Sequence, residues 1–258
     1  MRSAPADDWL RPQWQQAGVD ALMTSRNGGV GKPPFDSFNL RRGIGDDDDG
    51  AVAANLQTLR ALMPAEPVWL DQVHGNRVVR LTAADAQPGR AQPQADASVC
   101  TEPGIACVVQ VADCLPVLMA AGGRGVAAAH AGWRGLAGGV LEATITALCE
   151  AADCRPGDIE AWLGACIGPQ QFEVGADVLA AFGADAEDRR GRFRPRGPAA
   201  PGKWLADLPG LAEDRLRAAG VGRISSAGLC TVESSSRFFS YRRDRVTGRM
   251  AAGIWLTG

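Results

Sequence analysis

The sequence predicts a mixed α/β fold. Three observations carry this. Apolar segments of strand length outnumber amphipathic helical ones, the connections are short except for residues 183–203, and no internal repeat or low-complexity linker interrupts the chain. With 258 residues, 46% of them hydrophobic, the chain can bury a substantial core, and we expect a single domain over residues 1–258.

The elements follow in order. Residues 19–25 (Val-Asp-Ala-Leu-Met-Thr-Ser) read as a first strand running into Arg26-Asn27-Gly28-Gly29-Val30-Gly31-Lys32. This loop lacks the leading glycine of a phosphate loop, and Pro33 follows Lys32, so it is not a Walker A motif. Its glycines suit either close approach to a ligand or a plain turn. Asp46 to Asp49 lack the spacing and terminal glutamate of a calcium loop; a solvated loop is expected, with Asp49 capping a helix over 51–63. Val52, Leu56, Leu59 and Met63 form its apolar face. Val68–Val73 and Arg77–Thr82 read as a hairpin around Gly75-Asn76, which puts His74 at a strand end. Residues 104–111 are a buried strand followed by Cys114, and Pro116–Ala121 and Gly125–Ala129 are two more, the second delivering His130. Leu136–Ala152 is a helix striped by Leu136, Val140, Leu141, Ile145 and Leu148. The glycine-rich turn that opens it presents free N–H groups suited to an anion, beside Arg134. Ile159–Ile167 is a strand, Ala176–Phe182 a short helix, 183–203 a polar surface loop, and Leu205–Ala219 a helix. Ile224–Leu229 and Met250–Leu256 close the fold as strands.

Composition narrows the function classes. A formal net charge of −2 argues against a general nucleic-acid surface. No stretch is long and apolar enough to span a bilayer. The polar, acidic segment Met1–Trp9 has no apolar core of a secretory signal. The seven cysteines are odd in number and irregularly spaced, which disfavours a secreted disulfide framework and favours a cytoplasmic protein with reduced thiols. All but Lys32 and Lys203 of the 27 basic residues are arginine. Arginine binds phosphate and carboxylate bidentately, although coding bias in an Ala- and Gly-rich chain explains the excess equally well.

There are only two histidines, His74 and His130. Together with Cys114 they form the donor set of an open zinc site, with three protein ligands and a fourth position for water or substrate. All three fall at strand ends, where a sheet converges side chains on one place. The same residues allow a different chemistry, in which Cys114 is a nucleophilic thiolate and His130 its base. Cys100, Cys107 and Cys149 sit in apolar contexts and read as buried hydrophobes. Cys166 and Cys230 stand near loops, and Cys149 and Cys154 lack a metal-knuckle spacing.

A family resemblance rests on Arg26-x-Gly28-Gly29-Val30, Asn39-Leu40, Asp71-Gln72-Val73-His74-Gly75, Ala112-Asp113-Cys114-Leu115-Pro116, His130-Ala131-Gly132-Trp133-Arg134-Gly135 and Cys166-Ile167-Gly168-Pro169, together with Phe239-Ser240-Tyr241-Arg242-Arg243-Asp244 and Thr247-Gly248-Arg249. Over residues 19–256 the chain resembles the polyphenol-oxidase (laccase-domain) family, better described as zinc-dependent purine nucleoside phosphorylases. The resemblance implies a single sandwich of α-β-β-α layers. It also implies zinc on His74, Cys114 and His130, and phosphorolysis of adenosine, inosine, guanosine and methylthioadenosine with adenosine deamination as a second activity. Some members are linked to peptidoglycan quality control. Many carry a Cys-Cys pair where this chain has Gln170-Gln171, so those cysteines are not essential ligands here. The laccase label conflicts with the inventory, because blue-copper and trinuclear centres need many more histidines than two. Copper remains a competitor of zinc for this donor set.

On that implied chemistry, Arg26 and Arg134 are candidates for phosphate, and Asp113 or metal-activated water for protonating the purine. Gln72 and Asn39 are candidates to orient substrate, with Gln72 equally able to steady His74. Glu173 is a further polar contact or a structural residue. Arg242 and Arg243 read first as surface charge. The partners are then a purine nucleoside and phosphate, with no nucleic acid or membrane, and the oligomeric state stays open. Two rival readings remain: a Cys114–His130 hydrolase or deamidase acting on an amide or cell-wall substrate, and a non-catalytic, zinc-stabilised binding protein.

Overall fold

The computed structural model describes residues 7–41, 43, 48–184 and 191–258. Expectations for residues 1–6, Asp46, Asp47 and 185–190 lie outside the described residues. In chain order the first elements are β1 (Val19–Met23), α1 (Asp49–Leu62), β2 (Glu66–Val68), β3 (Val78–Arg80), β4 (Ala97–Cys100), β5 (Ile105–Val111), β6 (Leu115–Ala121) and β7 (Val126–Ala131). Then come α2 (Trp133–Ala137), α3 (Val140–Ala152), β8 (Ile159–Leu163), β9 (Glu173–Val174), α4 (Ala176–Ala181), β10 (Phe193–Pro195) and β11 (Trp204–Ala206). The chain closes with α5 (Leu208–Ala218), β12 (Arg223–Ser226), α6 (Tyr241–Asp244) and β13 (Met250–Leu256).

The fold is mixed α/β. A six-stranded mixed sheet has the order β12-β8-β6-β7-β4-β3, a four-stranded sheet has the order β1-β13-β5-β2, and β10-β11-β9 form a small third sheet. Side-chain alternation along the strands sorts the core into layers. In β6, Leu115, Val117, Met119 and Ala121 face a cluster that includes Val140, Leu141, Ile145 and Leu148 of α3. Leu118 and Ala120, on the opposite face, join Ile105, Cys107, Val109 and Val111 of β5 between the two large sheets. The other face of β5, Ala106 and Val108, packs with Trp255 and with Leu59 of α1. The central strands β6 and β7 are covered on both faces, so every residue in them is buried and, apart from His130, apolarity is continuous rather than alternating.

Several sequence expectations need correction. The helix over 136–152 is two helices, α2 and α3, because Gly138-Gly139 breaks the ladder and Gly139 takes a left-handed φ of 88°. The cap of α1 is Asp48 rather than Asp49; its side chain accepts from the Gly50 N–H at 2.8 Å. The hairpin around Gly75-Asn76 does not form. β2 runs parallel to β5 in one sheet and β3 parallel to β4 in the other, so the segment between them crosses from sheet to sheet. Its N–H groups at 73–75 are taken by a carboxylate instead of a partner strand. The loop over 183–203 contains β10, which pairs with β11. The helix of 205–219 starts later, at Leu208, where Asp207 caps it and Pro209 occupies its first turn. No helix among the described residues is long and apolar enough to cross a membrane.

Candidate metal centre and active site

Three separate pieces of backbone deliver the three donors. His130 lies within β7, buried, with its N–H donating to the Asp96 carbonyl at 2.7 Å. Cys114 sits in the turn between β5 and β6, directly after Asp113, which takes a φ of 92°. A non-glycine residue persists there only when its surroundings hold it. Asp113 is held on three sides: Oδ1 accepts from Thr231 Oγ1 at 2.6 Å, Oδ2 accepts from the Arg242 N–H at 2.6 Å, and its carbonyl accepts from the Ile167 N–H at 2.9 Å. His74, exposed at the sheet crossing, also has a positive φ, of 61°. The Asp96 carboxylate holds it there by accepting the N–H groups of Val73, His74 and Gly75 at 3.2, 2.9 and 2.7 Å.

Asp96 does a second thing. Its Oδ1 lies 2.8 Å from His130 Nδ1. An ionised carboxylate can only accept, so Nδ1 carries the proton and Nε2 is left as the free donor atom. The donor atoms of His74, Cys114 and His130 all lie within 4.8 Å of one another, with Cys114 Sγ 3.8 Å from His74 Nε2. Tetrahedral zinc bonds would place such donors about 3.3–3.6 Å apart, so a small inward movement seats the ion. Gly132 makes room: a Cβ there would lie 3.0 Å from Cys114 Sγ and 3.1 Å from His74 Cδ2. Geometry, tautomer and donor chemistry therefore fit a zinc-type ion.

The electrostatics agree. Burial would raise the Cys114 thiol, but the charge and hydrogen bonds of His130 and His74 outweigh it and bring it down to about 6. Burial would lower His130, but the Cys114 thiolate and the Asp96 carboxylate bring it up to about 9. The sign follows for stability. His130 contributes fully below the ordinary imidazole range and loses that contribution as pH rises through about 9. Cys114 contributes above the ordinary thiol range and loses it as pH falls through about 6. In the metal-free protein, alkylation of Cys114 by iodoacetamide should therefore show a midpoint near pH 6. Cys107, pushed well up by complete burial, should stay unreactive. Mass spectrometry of the labelled peptides across pH checks this; a Cys114 midpoint at the ordinary thiol value would remove the ion pair.

Two cavities meet at these donors. One, of about 280 Å³, is walled by the apolar and aromatic groups Trp133, Ile167, Phe172, Leu208 and Tyr241, with Asp113, Arg134, Arg242 and Arg245 around them. The other, of about 350 Å³, is walled by Arg41, Gln72, Gln110, His130, Tyr241 and Arg249. His74, Ala112, Cys114 and Tyr241 belong to both.

A family model described as multi-copper polyphenol oxidoreductase laccase matches residues 20–257. The chain belongs to this family. A Pseudomonas aeruginosa protein named purine nucleoside phosphorylase is 46% identical over 250 residues, which cover 96% of this chain and 98% of its own. An Escherichia coli protein of the same name is 47% identical over 249 residues, covering 95% and 97%. Among solved structures, a Neisseria meningitidis protein superposes with a TM-score of 0.88 at 43% identity, covering 98% of this chain and all of its own. The YlmD protein of Geobacillus stearothermophilus superposes with 0.86 at 32% identity, covering 100% and 99%. For this laccase-family chain the multi-copper description does not match the inventory. His74, Cys114 and His130 are the only such donor group among the described residues, and they use both histidines.

In this member of the laccase family the other sequence-selected residues scatter. Asp113, Arg134 and Arg242 reach the aromatic cavity, and Gln72 reaches the arginine-lined one. The Gln72 amide is doubly tied to the Gln110 backbone, at 2.9 and 2.8 Å. Arg26 lines neither cavity: its guanidinium binds the Asp36 carbonyl and carboxylate and the Ser235 carbonyl, and stacks over Phe239. Asn39 is wholly buried. Glu173 pairs with Arg196 at 3.2 Å, while its carbonyl accepts from Arg242. Arg243 binds Asp244 and the carbonyls of Thr231, Val232 and Phe238. Sequence reasoning missed Asp96, although a charge inside Ala95-Asp96-Ala97-Ser98-Val99, otherwise fit for a buried strand, was a usable signal. It also missed Arg41, and Tyr241 and Arg249 stand out in the sequence only as members of longer motifs.

Proposed function

We propose that the protein is a zinc-dependent purine nucleoside phosphorylase acting on adenosine, inosine, guanosine and methylthioadenosine, with adenosine deamination as a second activity, and that residues 1–258 act as one domain. The observation that carries this is the open His74–Cys114–His130 donor set at the meeting point of an aromatic cavity and a polar one. The names of relatives at 46% and 47% identity support it. Seven free thiols support a reducing, cytoplasmic compartment.

Zinc held by His74, Cys114 and His130 would supply Lewis-acid polarisation of a substrate oxygen. The chain's own groups do the rest. Trp133, Phe172 and Tyr241 offer flat apolar surface to a purine and keep bulk water from it. Arg134, its guanidinium 4.4 Å from the Trp133 ring centroid, offers N–H donors to a ring nitrogen as the departing base takes up negative charge. Asp113, with both oxygens already accepting hydrogen bonds, serves in this reading by holding the Cys114 turn and the start of α6. Asp96 fixes the His130 tautomer and the His74 backbone.

The test is hypoxanthine release from inosine by zinc-loaded protein, with and without phosphate. Release that requires both phosphate and metal supports the reading, and no release from inosine or adenosine would sink it. The Cys114 thiolate beside a His130 whose other nitrogen meets Asp96 favours one second reading, a cysteine hydrolase or deamidase. That reading predicts turnover of an amide that survives chelation and is abolished by alkylation.

A further inference from the structure

We infer that the cavity walled by Arg41 and Arg249 is a built oxyanion subsite that takes inorganic phosphate beside the His74–Cys114–His130 donors, while the nucleoside enters from the Trp133 side. Calling the anion a co-substrate rests on the phosphorylase reading; the anion site itself does not.

The lining of this cavity contains two guanidiniums, two side-chain amides, two imidazoles and the Tyr241 ring, with the Cys114 thiol as its one acidic group and no carboxylate. Several part-buried arginines find acids: Arg26 meets Asp36, Arg192 meets Asp207 and Asp214, and Arg243 meets Asp244. Arg41 and Arg249 form no ion pair among the described residues, and the Arg249 side chain bonds only the carbonyls of Thr247 and Gly248, both through Nη1. Arg249 is lowered from its ordinary value first by burial and then by the like charge of Arg41, which the weaker influence of Cys114 and Asp113 offsets only in part. Two part-buried cations without an acid are costly unless an anion joins them.

The pair is also positioned deliberately. The buried Asn39 accepts the Arg249 N–H at 2.8 Å and the Arg41 N–H at 3.2 Å on one oxygen, and donates to the Arg41 carbonyl at 3.0 Å. One amide thus clamps two arginine backbones from opposite ends of the chain. Gly248 lets them close, since a Cβ there would come within 2.9 Å of Asn39 Cβ and 2.8 Å of the Phe239 ring. Asn39 is therefore a positioning residue in this site. The amides of the lining are equally preset, with Gln110 Nε2 on the Leu40 carbonyl at 2.9 Å and Gln72 on the Gln110 backbone. In the neighbouring cavity Arg134 and Arg245 are exposed, and the guanidinium of the part-buried Arg242 is engaged by the Glu173 carbonyl, whereas Arg249 is part-buried and lies 5.9 Å from the Tyr241 ring centroid that both cavities share.

With phosphate on one side of the shared donors and the purine on the other, a phosphate oxygen forms the bond to the sugar C1′ as the C1′–N9 bond breaks. The electron pair leaves with the purine, which takes up one proton, so nucleoside and phosphate give ribose 1-phosphate and free base.

Calorimetric titration of inorganic phosphate onto the metal-loaded protein tests the site without turnover, and steady-state kinetics test its role. Arg41→Ala removes a guanidinium that makes no hydrogen bond or ion pair among the described residues and should raise the phosphate Kd about 10-fold or more. Arg249→Met should do the same, and Arg41→Ala decides alone if that variant does not fold. The phosphate KM should rise in parallel, with the inosine KM changed by less than about 2-fold. Wild-type phosphate affinity in Arg41→Ala, or a loss carried by Arg134→Ala instead, overturns the assignment. Phosphate binding lost in Arg41→Ala, in a protein whose wild type does not cleave inosine, keeps the anion site and removes the phosphorylase reading.

Discussion

Asp96→Asn is expected to destabilise the protein by about 3–5 kcal/mol and to weaken metal binding about 10- to 100-fold. The residue is wholly buried, and its carboxylate accepts from three consecutive backbone N–H groups and from His130 Nδ1. Burial pushes its pKa up, but the hydrogen bond from His130 and the N–H groups of Gly75 and His74 outweigh burial and hold it below the ordinary carboxylate range. Asparagine keeps the shape, but it turns one acceptor oxygen into a donor facing N–H groups that are already donors. The His74 backbone loses the partner that stabilises its positive φ, and His130 loses the group that fixes its tautomer. The stabilisation from Asp96 is present above the ordinary carboxylate range and is lost as pH falls below it. Urea denaturation at neutral pH and competitive titration with a metal chelator measure the two effects. A variant with an unchanged midpoint and unchanged metal affinity would show that the carboxylate organises nothing.

His74→Ala should separate chemistry from folding. The side chain is exposed, and what it gives up in the metal-free protein is its interaction with the Cys114 thiolate, so stability should change by no more than about 1 kcal/mol. On the phosphorylase reading, loss of one of three donors, and of the transition-state charge stabilisation that a metal held there would supply, should lower phosphate-dependent hypoxanthine release on the order of a thousand-fold. Metal content by atomic absorption should fall with it. Cys114→Ser should behave similarly in turnover, since a hydroxyl is a poor substitute for a thiolate that is already ionised near neutral pH. If His74→Ala retains activity while Cys114→Ser loses it, the site is working as a cysteine nucleophile and the metal reading fails.

The strand periods of β5 to β7 and β13 were readable because alternation and continuous apolarity are local signals, and these strands agree with them to within a few residues. The hairpin around Gly75-Asn76 misled for a physical reason. A turn dipeptide between apolar runs specifies a reversal only when the flanking strands prefer each other. Here Val68 pairs with Cys107 and Val78 with Ala97, in different sheets. A helix stripe across Gly138-Gly139 misled in the same way, because periodicity does not register where the backbone gives out.

By itself the sequence determined the donor inventory: two histidines and a flanking cysteine, enough for one open metal site and too few for a multi-copper centre. It also determined the mixed α/β class, through patterns spanning only a few residues. Tertiary structure decided what surrounds the donors. Asp96 meets His74 and His130 from 22 and 34 residues away, and Asn39 meets Arg249 across 210. Such pairings depend on which sheets stack and where loops cross. Nothing in the local spacing of a carboxylate or an arginine encodes them, which is why the sequence singled out Arg26, which lines neither cavity, and passed over Arg41 and Arg249, which line one.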